Sequence, residues 1–94
     1  MRLAAHLQMN DEYVLTLDTD WASDPVVDEV IDCLVDAKVK ATWFVTDDGR
    51  ATRRLAEYPE FFELGIHPNF MEGSTQGRTP ADVIAYLLAA AVPK

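Results

Sequence analysis

Residues 13–38 read YVLTLDTDWASDPVVDEVIDCLVDAK, and the hydrophobic period changes inside this stretch. Residues 13–17 are β-formers in an unbroken run that stops at Asp18, the pattern of a strand. Asp24 and Pro25 then supply a helix cap and a residue whose φ is already set for the first turn. Val26, Val27, Val30, Ile31, Leu34 and Val35 follow at helical spacing, so one amphipathic helix runs to near Lys38. Residues 41–46 form a second run of β-formers, broken by Asp47, Asp48 and Gly49. The cycle then repeats. A weaker helix over 50–58 is stopped by Pro59, and a strand over 61–66, thinned by Gly65, ends at His67 and Pro68. After a polar loop over 69–78, Thr79 and Pro80 open a helix with the stripe Val83, Ile84, Leu87, Leu88 and Ala91. The βαβαβα order predicts an α/β domain built on a parallel sheet, either open and doubly wound or a segment of a barrel.

Composition sets the limits within which this reading must fit. The chain has 94 residues, and 16 Asp and Glu against 8 Lys and Arg give a formal net charge of −8. One modest core is all that such a length supports, and a closed (β/α)8 barrel needs roughly 250 residues. An acidic chain with scattered cations has no basic surface for phosphates, so nucleic acid is not an expected partner. Arg50, Arg53 and Arg54, its one basic cluster, read as a solvated helix face. No apolar run is long enough to span a bilayer, so a membrane is not an expected partner either. The single Cys33 has no intramolecular partner and is expected in the core, which makes the cytoplasm the expected compartment. Residues 1–12 show neither strand nor helix periodicity and are set apart as a loosely packed N-terminal extension to a domain over 13–94, with Met9 a second possible start.

In parallel α/β folds, ligands bind beyond the carboxyl ends of the strands. The three loops expected there carry Asp18, Asp20 and Trp21, then Thr46, Asp47 and Asp48, then His67 and Asn69. Two carboxylates and an imidazole arriving at one edge form a donor set suited to zinc and its neighbours. Alternatively, Asp18 and Asp20 simply end a strand and begin a turn. Alternation along the first strand puts Val14, Thr16 and Asp18 on one face and Leu15 and Leu17 on the other. A face mixing Thr with Asp suits a barrel interior better than a helix-covered side.

Three segments, LTLDTDWA at 15–22, KATWFV at 40–45 and ELGIHPNF at 63–70, resemble in order and spacing those of the polysaccharide deacetylase superfamily, carbohydrate esterase family 4. The resemblance implies a distorted barrel of parallel strands, of which this chain is the amino-terminal part. It also implies Asp18 as catalytic base, with Asp20 and His67 as ligands of a divalent metal, zinc being the expected ion. The implied partner is an acetylated sugar or polysaccharide. The implied reaction is hydrolysis of its N- or O-acetyl group, in which the cation polarises the acyl carbonyl and Asp18 deprotonates water.

Two departures stand out. Met71 occupies the place of the family's second histidine, four residues after His67, and no residue corresponds to its general-acid histidine. His6 lies upstream and is read as a surface or tail residue. Little or no deacetylase activity is therefore expected of these 94 residues alone. Two other readings remain. A haloacid-dehalogenase-like phosphatase would use Asp18 as nucleophile, Asp20 as acid and base, and Thr46 to hold phosphate. A non-catalytic fragment would act by association, with self-association through the uncovered sheet face or edge.

Overall fold

The computed structural model describes residues 1–7 and 13–92. Among these residues, four strands and three helices follow in the order β1 (Arg2–Leu7), β2 (Tyr13–Asp18), α1 (Asp24–Asp36), β3 (Ala41–Val45), α2 (Arg50–Leu55), β4 (Phe62–Ile66) and α3 (Pro80–Ala91). The strands form one sheet in the order β1-β2-β3-β4. β2, β3 and β4 are parallel, whereas β1 is antiparallel to β2, with Leu3 opposite Leu17 and Leu7 opposite Tyr13.

The sheet is therefore mixed, and the purely parallel βαβαβα order needs correction at its amino end. β1 lies within the segment set apart as an extension. Its own residues are weak strand formers, and pairing with the edge of β2 supplies the backbone partners that make it a strand. Residues 8–12, including Met9, lie outside the described residues.

Along β3, Ala41, Trp43 and Val45 are buried while Thr42 and Phe44 are partly exposed, so one face of the sheet is covered and the other is not. Because β2, β3 and β4 lie side by side in chain order, right-handed crossovers put α1 and α2 on the same face. The described residues contain no reversal of strand order, which a doubly wound sheet requires. The result is two layers. A radius of gyration of 13.7 Å, against about 12 Å for a compact chain of this length, fits a slab with one bare face.

The core lies between the layers. Leu17, Trp43, Val45 and Phe62 from the strands meet Val27 and Ile31 of α1 and Ala51 and Leu55 of α2. Trp43 is fully buried, meets Phe62 edge to face at 5.7 Å, and has an indole N–H without a partner among the described residues. α3 contributes Val83, Leu87 and Ala90, whereas Leu88 is 53% exposed, so the buried stripe is narrower than its apolar sequence suggested. Cys33 is exposed, contrary to expectation: it stands about 200° around α1 from the buried Ile31.

The helix ends follow their chemistry. Thr79 caps α3, its hydroxyl accepting the Asp82 N–H at 3.1 Å. α1 begins one residue earlier than the sequence implied, with Ser23 at the cap position and no side-chain capping bond. It ends before Lys38, where the N–H groups of Lys38 and Val39 donate to the Val35 and Leu34 carbonyls around a left-handed residue at φ 56°. α2 spans 50–55 rather than 50–58.

α1 and α2 are joined by charge. Arg50 and Arg54 both pair with Asp28, at 2.8 and 3.0 Å, and Arg54 also pairs with Asp32. These arginines thus cross-link two helices and are more than a solvated face. Their hydrogen bonds, Arg50 first and then Arg54, hold the Asp28 carboxyl below its ordinary range.

Candidate metal centre

The carboxyl edge of the parallel strands carries the candidate chemistry. Asp18 is the last residue of β2, and Asp20 lies two residues into the following turn. Thr19 between them faces β3: its N–H donates to the Phe44 carbonyl at 3.2 Å, and its hydroxyl lies 3.2 Å from that of Thr46. The intervening threonine thus ties β2 to β3, leaving the carboxylates on either side of it for the site.

His67 directly follows β4, and its N–H donates to the Val45 carbonyl at 2.9 Å, extending the β3–β4 ladder by one bond. His67 Nε2 lies 3.8 Å from Asp20 Oδ2, with both side chains partly exposed. One donor atom each from Asp18, Asp20 and His67 can be chosen so that all lie within 4.8 Å of one another. The structure therefore brings together three side chains that the sequence separates by up to 49 positions. Two carboxylate oxygens and one imidazole nitrogen at this spacing, all partly open to solvent, fit a divalent cation.

The acids after β3 serve other purposes. Asp47 Oδ1 accepts the Gly49 N–H at 2.8 Å and the Thr52 hydroxyl at 3.1 Å, holding the start of α2. Asp48 lies 3.6 Å from Arg53, and its N–H donates to the Tyr86 hydroxyl at 2.9 Å. Neither joins the three-residue cluster. Thr46 directs its hydroxyl to Thr19, a geometry that gives no support to a phosphate-binding role.

Gln76 was hidden in what reads as loop composition. It is buried, donates its side-chain amide to the Thr46 carbonyl at 2.8 Å and the His67 carbonyl at 3.3 Å, and accepts the Asn69 N–H at 2.7 Å. One side chain thereby links the loops after β3 and β4 and fixes the backbone beneath the imidazole. Gln next to Gly77 in a polar loop carries no sequence signal for this, because its partners are backbone groups as far as 30 residues away.

On the bare face of the sheet, Asp18 is in register with Phe44, and Phe44 with Gly65. A Cβ on Gly65 would lie 2.7 Å from the Phe44 ring, so the absence of a side chain there lets the ring lie across β4. An open hollow lies elsewhere, between the strand beginnings around Val14, Lys40 and Phe61, at the opposite edge from Asp18.

Comparison with known proteins gives this arrangement a lineage. No curated protein matches the chain. Residues 15–94 match the family of WbmS-like polysaccharide deacetylases. A crystal structure from Bordetella bronchiseptica, of a protein described as a polysaccharide deacetylase involved in O-antigen biosynthesis, is similar in fold, with a TM-score of 0.65 and 35% identity. The match covers 81% of this chain and 32% of that one, so the chain spans about a third of the relative's length. A family match from β2 to the last residue, containing all three members of the carboxyl-edge cluster, settles the relationship: the chain belongs to the WbmS-like polysaccharide deacetylases.

Proposed function

We propose that this chain forms the amino-terminal part of a metal-dependent hydrolase that removes an acetyl group from a sugar of a polysaccharide. The observation that carries the reading is the convergence of Asp18, Asp20 and His67 at the carboxyl edge of the sheet, within the segment that matches the family. Asp20 and His67 would hold the cation, and zinc suits their oxygen and nitrogen donors. Such an ion, when bound, supplies Lewis acidity to the acyl carbonyl and acidity to water.

Asp18 is assigned as the base. Its carboxylate takes a proton from the attacking water as the new C–O bond forms at the acyl carbon; the bond to the sugar nitrogen or oxygen then breaks and acetate leaves. The leaving group must gain a proton. His6 is the only other histidine in the 94 residues, and the general-acid histidine of the superfamily has no counterpart among them. The proposal therefore includes weak or no turnover by these residues alone, and a further segment that completes the barrel and its cleft. The single cysteine suits the reducing cytoplasm.

The mutual 4.8 Å spacing favours a second assignment, in which Asp18 is itself a third ligand. Cobalt titration followed by visible absorption separates the two. With Asp18 as base, Asp18→Asn keeps cobalt affinity within a few fold; with Asp18 as ligand, the variant loses it together with Asp20→Asn and His67→Ala. Failure of the unaltered chain to bind cobalt or zinc would overturn the metal-dependent reading. Acetate release from an acetylated chito-oligosaccharide, measured with zinc added, tests the expectation of weak turnover.

A further inference from the structure

Trp21 directly follows Asp20 and is 97% exposed, while Trp43 is fully buried. Trp21 is also one of two non-glycine residues with positive φ among the described residues, at 63°. It occupies the third position of a tight turn closed by the Ala22 N–H donating to the Thr19 carbonyl at 3.2 Å. A bulky residue disfavours that conformation, and glycine would meet it without strain. The position therefore carries two costs, an indole left in water and a strained backbone, and its exposure leaves little packing in this structure to offset them.

The loop after β4 repeats the theme. Phe70 and Met71, three and four residues beyond His67, are 54% and 78% exposed. Their loop is held in shape, with Asn69 accepting the Met71 N–H at 3.0 Å and donating its own N–H to Gln76. Thus the two loops that bring Asp20 and His67 to the cluster each display a large apolar side chain to solvent within four residues of the cluster member they carry. Aliphatic chains offer edges and methyl groups to water, whereas an indole offers a flat face rich in π electrons. The complementary surface is one with several polarised C–H groups in a plane, and a pyranose ring has such a face while its hydroxyls remain free for polar contacts.

We propose that Trp21 is a saccharide-binding residue, its indole stacking on a pyranose ring and holding an acetylated sugar over the Asp18, Asp20 and His67 cluster. This assignment rests on the hydrolase reading for its substrate class. It adds a residue from outside the polar cluster and predicts selectivity for cyclic sugars over open-chain polyols.

The two tryptophans make the test direct, because only Trp21 is accessible to acrylamide. The 94-residue chain is titrated separately with N-acetylchitotriose and O-acetylated xylotriose, with sorbitol as an open-chain control. The expected result is a saturable blue shift of emission and protection from acrylamide with at least one saccharide and none with sorbitol. Trp21→Gly removes both responses and weakens saccharide binding by calorimetry at least tenfold, while cobalt affinity stays within a few fold and thermal stability is kept or raised by relief of the turn. Unchanged Trp21 emission with both saccharides, an equal response to sorbitol, or undiminished saccharide binding by Trp21→Gly would each overturn the proposal. Saccharide binding in a chain that fails to bind cobalt would leave the stacking role standing and remove the metal-dependent reading instead.

Discussion

Gln76 shows how much of a site can depend on one neutral side chain. It satisfies the Thr46 and His67 carbonyls and the Asn69 N–H, and an apolar replacement leaves backbone groups from two loops without partners. Unsatisfied buried polar groups cost about 1–3 kcal/mol each, and these three are only part-buried, so Gln76→Leu is expected to lower stability by roughly 3 kcal/mol, the low end of their sum, measured by urea unfolding. Because the lost bonds fix the backbone of His67, metal affinity should also fall, by about tenfold or more in a cobalt titration. The meeting of Asp18, Asp20 and His67 at one edge was legible in the sequence because each lies at or just beyond a strand end, where βα loops gather. Gln76 was not legible, since its role depends on backbone carbonyls that only the tertiary fold brings near. Asp47 and Asp48 follow a strand as well, but the start of α2 and Arg53 claim their carboxylates.

The helices were largely legible from their period and their proline and threonine signals. What failed was the assignment of individual faces. Cys33 and Leu88 both belong to apolar runs, yet a 100° step per residue carries each away from the core. The carboxyl end of α1 offers a specific expectation. Lys38 stands where a helix-terminating loop favours glycine, and a side chain in the left-handed region costs about 1 kcal/mol. Lys38→Gly should therefore stabilise the protein by about 0.5–1 kcal/mol, visible as an increase in the thermal midpoint. The α1–α2 cross-link predicts the behaviour in acid. Asp28 has a depressed pKa in the folded protein, so its contribution is present above the ordinary carboxylate range and is lost as pH falls through the lowered folded value. Urea midpoints measured between pH 7 and pH 2 should fall less steeply in Asp28→Asn than in the unaltered chain. The pairs are partly open to solvent, so added salt should shrink the difference between the two.

At the scale of the molecule, the parallel strands, their order and the helix-covered face follow from the alternation of periods along the chain. β1 did not, because a strand made by pairing leaves little mark in its own residues. If the carboxyl-edge cluster binds zinc only when folded, zinc at 100 times its dissociation constant adds about 2.7 kcal/mol to stability. For a domain of this size, that corresponds to a rise in thermal midpoint of roughly 10 °C or more. Asp20→Asn should show little or no rise, and calorimetry with and without zinc provides the check.

The strand order β1-β2-β3-β4 has a kinetic consequence as well as a geometric one. Each strand after β1 lies beside the one made just before it, so it finds a partner already in place. β1 and β2 can close locally as a hairpin, and β3 and β4 can then dock in turn, each bringing its helix onto the same face. Loop-closure entropy is met in small steps, which favours rapid assembly in the direction of synthesis. The three members of the cluster would then arrive in order. Asp18 and Asp20 wait at the end of an early strand, and the site is assembled only when β4 docks and delivers His67.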